Sequence, residues 1–156
     1  MSHARGDYAS FRAQAADIYQ AVLALGQVAG KSELDKGLLE LVKIRASQLN
    51  GCAFCVQHHV LIAEKLGVSA DKLNLLVAWR EAPQYSERER AALAWTEALT
   101  VLSGGAGDEV YTQARGQFSE TELLYLTSAV AGINAWNRLG VAYRWAPPER
   151  PSRRDA

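Results

Sequence analysis

The segment ELVKIRASQLNGCAFCVQHH, residues 40–59, joins two predicted helices and holds both cysteines of the chain. Asn50-Gly51 is a strong helix stop, so a helix that ends there is followed by a new helix that opens near Cys52. Cys52 and Cys55 then fall in the first turn or so, where free backbone N–H groups and the helix dipole favour a thiolate. The thiolate is the form that nucleophilic attack requires.

The spacing also predicts that one histidine lies beside the cysteines. At about 100° per residue, Cys52 and Cys55 are about 60° apart around the helix axis, and His59 lies within about 40° of both. An imidazole there can accept the Cys55 proton or pair with its thiolate. His58 is rotated about 120° from Cys52, so we expect it to be a surface or packing residue.

Three other interpretations of the cysteine pair were weighed. Free cysteines are often small buried hydrophobic residues. A structural disulfide between residues three apart removes little entropy from the unfolded chain, so it would scarcely stabilise the fold. A tetrahedral zinc site needs a fourth ligand beside Cys52, Cys55 and His59, and only Glu40 or another carboxylate could supply it. A redox-active pair is therefore favoured, and we expect no metal ion.

Working outward from this segment, the chain reads as all-α. Three of its four prolines follow Ala146, and runs of β-branched residues are absent, so helices meet few breaks. Apolar spacing and capping patterns predict helices over about 8–28, 32–49, 52–66, 69–79, 86–101, 109–117 and 119–144. The prediction is a compact bundle of about seven helices in one domain, residues 1–156, with a core of about 8–145 and a frayed tail at 146–156.

Composition excludes several classes of function. The 156 residues are 49% hydrophobic and 22% charged, which is typical of a soluble globular protein. Lys plus Arg equals Asp plus Glu at 17 each, so no net field attracts nucleic acid or a membrane surface. The start lacks the apolar core of a secretory signal, which predicts a cytoplasmic protein. The glycine run 103–107 lacks a phosphate-loop context, and we expect no cofactor.

Residues 40–59 and the block Ile133-Asn-Ala-Trp-Asn-Arg138 together resemble the alkylhydroperoxidase D-like branch of the carboxymuconolactone decarboxylase superfamily. The shared pattern is a glutamate twelve residues before Cys-x-x-Cys and a histidine four residues after it. The resemblance covers about residues 38–145. It implies an all-helical homo-oligomer, a trimer or hexamer, in which a peroxide oxidises one cysteine and the other closes a disulfide. By position, the catalytic set would be Glu40, Cys52, Cys55 and His59.

Glu40 enters this set only through the resemblance, because spacing alone gives no reason to prefer it over a solvated carboxylate. Its expected role is to orient His59 or to relay a proton through water. Phe54 is a departure, since the best-known peroxidase of the family has a histidine at that position. Phe54 would place an apolar wall near the thiols.

Asn137 interrupts an otherwise apolar stripe on the last predicted helix. One interpretation is a residue that lines a pocket or an oligomer seam, beside Asn134 and Arg138. The favoured one is a core hydrogen-bond network that satisfies backbone groups or pairs with Arg45, because most buried polar residues have structural partners. Trp79, Trp95 and Trp136 are expected to pack in the core or in an interface.

The sequence therefore predicts a thiol-dependent peroxidase that reduces hydrogen peroxide or organic hydroperoxides through a Cys52–Cys55 pair, with a thiol or dithiol as reductant. A thiol-disulfide carrier or redox sensor remains the main alternative. A helical assembly protein is a third, and a decarboxylase is less favoured because those enzymes lack the redox pair. Two effects compete in deciding which sulfur attacks the peroxide: the helix dipole favours Cys52, and the nearby base favours Cys55. The base has the larger effect, so Cys55 is expected to be the attacking residue.

Overall fold

The computed structural model describes residues 4–150, and within that range the chain forms eight α-helices and no strand. They are α1 (Tyr8–Gln14), α2 (Ala16–Gly30), α3 (Lys36–Leu49), α4 (Ala53–Lys65), α5 (Ala70–Leu75), α6 (Glu87–Thr100), α7 (Asp108–Gln117) and α8 (Glu120–Tyr143). Short 3-10 helices follow α5 and α6, at Leu76–Ala78 and Leu102–Gly104. The all-α prediction is confirmed. The predicted tail starts at residue 146, and its residues 151–156 lie outside the described range.

Local capping chemistry sets most of the helix starts. The side chains of Ser86 and Ser119 each accept the backbone N–H three residues on, and the glutamates at those positions bond back, which completes both predicted capping boxes. Ser69 caps α5 as predicted. Among the described residues, no helix is both long enough and apolar enough to cross a membrane.

The single helix predicted over 8–28 is wrong, because the chain breaks at Ala15 with φ −132° and ψ 53°. No glycine or proline marks this break, so its cause lies in tertiary packing. The ring of Phe11 on α1 contacts Trp145, whereas α2 lies along α8 and its Tyr19 contacts Trp136. The break lets α1 reach Trp145 while α2 lies along α8, and it accounts for the additional helix.

The next helix also starts later than the predicted residue 32. The Ser32 hydroxyl donates to the carbonyl oxygen of Ala29 in the last turn of α2, so it closes one helix rather than opening the next. The Asp35 carboxylate accepts the N–H of Leu38 and caps α3. Aspartate is as good a cap as serine.

Helices α3 and α8 form the centre of the bundle. Helix α8 packs against α2, α3, α4 and α6, and α3 packs against α4, α6 and α8. Both contribute large side chains that are almost fully buried: Leu41 and Ile44 from α3, and Leu126 and Val130 from α8. These two helices also carry or support the functional groups of the site.

A glycine on α8 allows that helix to approach α2 closely. A Cβ atom added to Gly132 on α8 would lie 3.2 Å from the Cα atom of Gly26 on α2. Because the contact is with backbone, no flexible side chain could move aside to make room. The absence of a side chain at Gly132 therefore lets α8 lie this close to α2.

A buried amide network ties α8 to the end of α3. Asn137 is 0% exposed, donates to the Ser47 hydroxyl at 2.9 Å and accepts from the Asn50 amide at 2.9 Å. Asn50 also donates to Asn134 at 3.0 Å. This is a core hydrogen-bond network, as the favoured interpretation of Asn137 expected. The partners of Asn137 are side chains rather than backbone groups, however, and Arg45 binds Glu97 instead. The network fixes the turn that leads into Cys52.

Replacing Asn137 by alanine is expected to lower the free energy of unfolding by about 1–3 kcal/mol, the usual cost of leaving buried polar partners unpaired. Asn74→Ala is the matched control, because Asn74 is exposed on α5 and such changes shift stability by only about 0.5 kcal/mol. Urea unfolding followed by circular dichroism measures both variants. Equal losses of stability would contradict the structural role of the network.

Candidate functional site

The two cysteines lie at the start of α4 and are joined by a disulfide bond. Cys52 is the N-cap residue, and its sulfur accepts the backbone N–H of Cys55 at 3.2 Å. Cys52 thus lies one residue before the first helical turn, close to its predicted position. After reduction, the N–H group and the α4 dipole would stabilise negative charge on this sulfur.

The disulfide is covered by α8. Cys52 is 2% exposed and Cys55 is 3% exposed. A Cβ atom added to Gly140 on α8 would lie 2.7 Å from the Cys52 sulfur and 3.3 Å from the Cys55 sulfur. Only glycine therefore lets α8 lie this close to the pair, and the helix closes one side of the sulfurs to solvent.

The opposite side of Cys55 faces a cavity of about 700 Å³. Cys55 is one of the lining residues and Cys52 is not. His58, His59 and Lys43 line the same cavity. The aromatic part of its wall consists of Tyr8, Tyr19, Phe54, Trp136 and Trp145. Of the two cysteines, a molecule that enters this space therefore meets Cys55.

A buried carboxylate contacts the histidine in this wall. One oxygen of Glu40 on α3 lies 2.6 Å from Nδ1 of His59, and the other lies 2.5 Å from Nζ of Lys43. Burial alone would raise the pKa of Glu40, but the bond from His59 and the charge of Lys43 together hold that pKa below its usual value. Glu40 is thus the acceptor for Nδ1–H of His59, which leaves Nε2 as the ring nitrogen that can exchange a proton.

The structure therefore brings together the four residues that the resemblance selected, as two bonded pairs at one end of α4. Glu40 meets His59, and Cys52 meets Cys55. His59 forms no hydrogen bond to either sulfur in this oxidised state. Their part in a reaction stays a prediction.

Lys43 is a site residue that sequence reasoning missed. It lies three positions after Glu40 on α3, a spacing at which opposite charges on a helix face each other. That spacing was the available signal. By holding one oxygen of the buried carboxylate, Lys43 leaves the other oxygen for His59.

His58 was expected to be a surface or packing residue, and it is both. The residue is exposed, but its ring stacks on Phe54 with a centroid distance of 5.9 Å. Partial burial and the neighbouring His59 lower the pKa of His58, which favours its neutral form. Phe54 also contacts Tyr8 and Trp145 at centroid distances of 4.8 and 5.5 Å, and so forms an apolar wall as predicted.

Apart from Phe54, the aromatic residues of the wall were not predicted from sequence. Trp136 was expected only to pack, and it lines the cavity. Trp79 and Trp95 do pack in the core, where their ring nitrogens donate to Glu97 and Thr127. Within residues 4–150, no group of three or more His, Cys, Asp or Glu side chains is arranged to hold a metal ion.

Comparison with known proteins agrees with the geometry. Residues 16–98 match the model of the carboxymuconolactone decarboxylase family. The uncharacterized protein YdfG of Bacillus subtilis is 38% identical over 113 residues, which span 72% of this chain and 77% of YdfG. The uncharacterized protein YnjA of Escherichia coli is 35% identical over 113 residues, which span 72% of this chain and 62% of YnjA.

Solved structures show the same fold. A protein of unknown function from Agrobacterium tumefaciens, proposed to be the antioxidant defence protein AhpD, superposes with a TM-score of 0.87 at 38% identity, over 95% of this chain and all of that one. A peroxidase-related protein from Ralstonia eutropha with an alkylhydroperoxidase AhpD core gives 0.80 at 19% identity, over 90% of this chain and 75% of that one. At that identity the likeness concerns the fold alone. With its family match, its relatives and its helical fold, this chain belongs to the carboxymuconolactone decarboxylase family, as an alkylhydroperoxidase D-like member.

Proposed function

We propose that this protein is a thiol-dependent peroxidase that reduces hydrogen peroxide or organic hydroperoxides through Cys52 and Cys55. The observation that carries the proposal is the position of Cys55 on the wall of a cavity that His59 also lines. A second sulfur is already bonded to it, and a buried carboxylate holds the histidine. The antioxidant role proposed for the Agrobacterium protein supports the same chemistry.

The reaction starts from the reduced protein. His59 takes the proton of the Cys55 thiol, and the thiolate attacks one oxygen of the peroxide. The O–O bond breaks, Cys55 becomes a sulfenic acid, and the departing hydroxide or alkoxide receives the proton from His59 and leaves as water or an alcohol. The Cys52 thiol then attacks the Cys55 sulfur, so that an S–S bond forms and water leaves. A thiol or dithiol reductant returns two electrons to the pair.

The neighbouring groups have separate tasks in this scheme. Glu40 keeps a proton on Nδ1 of His59 and so leaves Nε2 as the base. Lys43 balances the buried carboxylate. The α4 N-terminus stabilises the Cys52 thiolate, which is the leaving group when an external thiol attacks Cys55.

A thiol-disulfide carrier is the alternative, and the burial of the pair argues against it. Both sulfurs are nearly inaccessible, with Cys52 2% exposed and Cys55 3% exposed. Exchange between proteins requires direct contact of an attacking sulfur with a disulfide sulfur. A folded partner protein would not reach either sulfur in this state, whereas a small peroxide would reach Cys55 through the cavity.

The proposal includes a homo-oligomer, a trimer or hexamer, in the cytoplasm. The outer face of α2 presents Ile18, Leu25 and Val28 to solvent. An exposed row of large apolar side chains is typical of a surface that another chain covers. A cytoplasmic location suits a dithiol that must be kept reduced between turnovers.

The sulfur assignment gives the first test of the reaction. Pre-reduced Cys52→Ser is expected to consume about one equivalent of peroxide and to accumulate a sulfenic acid on Cys55, because no second thiol resolves it. Cys55→Ser is expected to react at the slow rate of an ordinary thiol. Mass spectrometry of dimedone adducts after one turnover measures both. Rapid sulfenate formation on Cys52 in the Cys55→Ser protein would require the assignment to be reversed.

Glu40 and His59 are expected to act as one unit. Glu40→Gln and His59→Gln should each slow thiol oxidation about 10²-fold, the usual scale for a positioned acid-base group. The double variant should lose little more than either single one, because coupled residues are not additive. Stopped-flow oxidation of pre-reduced protein measures the rates, with Glu64→Gln as a control on the exposed side of α4. Fully additive losses would contradict the coupling.

Lys43 should control the pH at which the site loses function. Because the pKa of Glu40 lies below its usual value, wild-type Glu40 stays ionised at acidic pH values where an ordinary glutamate would begin to take up a proton. Lys43→Met removes one of the groups that lower this pKa, so the acid limb of the oxidation rate should move to higher pH. Rates measured from pH 4 to 8 test this, and Lys43→Arg should restore the wild-type profile. An unmoved acid limb in Lys43→Met would contradict it.

A further inference from the structure

Aromatic rings from separate parts of the chain converge on Cys55. Tyr8 comes from α1, Tyr19 from α2, Phe54 from α4 and Trp136 from α8, and all of them line the cavity. The rings lie against one another, with centroids 5.7 Å apart for Tyr19 and Trp136 and 4.8 Å apart for Tyr8 and Phe54. Aromatic side chains arranged in this way recognise a further ring by edge-to-face or offset contact.

The cavity is larger than hydrogen peroxide requires. Its volume is about 700 Å³, within the range of about 300–1,000 Å³ that is usual for organic ligands. Water occupies about 30 Å³ in the liquid, and hydrogen peroxide has only one more oxygen atom. Hydrogen peroxide alone would therefore fill only a small part of this cavity.

The charges around the cavity match an uncharged substrate. Lys43 is paired with Glu40, and no carboxylate side chain of the described residues lines the cavity. The lowered pKa of His58 favours its neutral form. The other lysine of the lining, Lys31, is exposed at the end of α2. The Arg12 guanidinium lies over the Tyr19 ring, 5.0 Å from its centroid. Near Cys55, the wall therefore presents rings rather than unpaired charge.

We infer that the cavity takes an uncharged aryl hydroperoxide, in which an aromatic ring adjoins the carbon that bears the peroxide group, and that Tyr19 and Trp136 determine this preference. The inference rests on the proposed function and names its substrate class. The substrate ring packs against Tyr19 and Trp136 while an oxygen of the peroxide reaches Cys55. The sulfur, oxygen and proton steps are those of the proposed peroxidase.

A matched pair of peroxides tests the inference. Cumene hydroperoxide differs from tert-butyl hydroperoxide by a phenyl group in place of one methyl group. Stopped-flow oxidation of the pre-reduced full chain is measured with both and with hydrogen peroxide. Wild-type protein is expected to react at least tenfold faster with cumene hydroperoxide than with either of the others.

The variants are Tyr19→Leu and Trp136→Leu, which keep an apolar side chain and remove the ring. Each is expected to lower the rate with cumene hydroperoxide at least fivefold more than the rate with tert-butyl hydroperoxide. Tyr111→Leu is the control, because Tyr111 is a half-exposed tyrosine on α7 that does not line the cavity. Helix content is checked by circular dichroism. If Trp136→Leu does not fold, the rates of Tyr19→Leu alone test whether the rings determine the preference for the aryl hydroperoxide.

Two results would overturn the inference while leaving the proposed peroxidase in place. One is equal wild-type rates with cumene and tert-butyl hydroperoxides. The other is a loss in the ring variants that is the same for both peroxides, which would make the rings a structural lining only. No oxidation by any of the three peroxides would instead overturn the proposed function and the aryl substrate with it.

Discussion

Helix α8 lies so close to the start of α4 that one added methyl group at Gly140 would overlap the Cys52 sulfur. This contact places the disulfide between a helix N-terminus on one side and a helix backbone on the other, and leaves only Cys55 facing the cavity. The hydrogen bond between Asn50, in the turn before Cys52, and Asn137 on α8 holds α8 in this position relative to the start of α4. Because buried polar groups demand partners, the network resists sliding of α8 more strongly than apolar packing would.

The second constraint is electrostatic, and it arises inside α3. A carboxylate as buried as Glu40 would ordinarily take up a proton and become neutral. It remains an anion because His59 on α4 and Lys43 on α3 each bind one of its oxygens. The cost of burying this charge is offset only if both partners stay in place. The same arrangement that stabilises the packing of α3 on α4 therefore fixes which nitrogen of His59 is the base.

Local chemistry was predictable from the sequence, and distant contacts were not. The capping boxes at Ser86 and Ser119 and the helix start at Cys52 depend on residues three apart, so their positions could be predicted closely. The break at Ala15 has no local signal, because it follows from contacts that α1 and α2 make with the other end of the chain. Glu40 was selected only through the family resemblance, since its partner His59 lies nineteen positions away on another helix.

The aromatic wall shows how a short helix with no buried residue can shape the site. Helix α1 has seven residues and buries none of them, and isolated helices of that length are unstable in water. It is held instead by ring contacts, such as those of Tyr8 and Phe11 with Trp145 at centroid distances of 5.1 and 5.2 Å, and by a hydrogen bond from Arg5 to the carbonyl oxygen of Ala142. Trp145 also contacts the ring of Phe54, the residue that lies between the two cysteines in the sequence. The wall of the cavity and the attachment of α1 are thus one set of contacts, so any movement of α1 changes the space in front of Cys55.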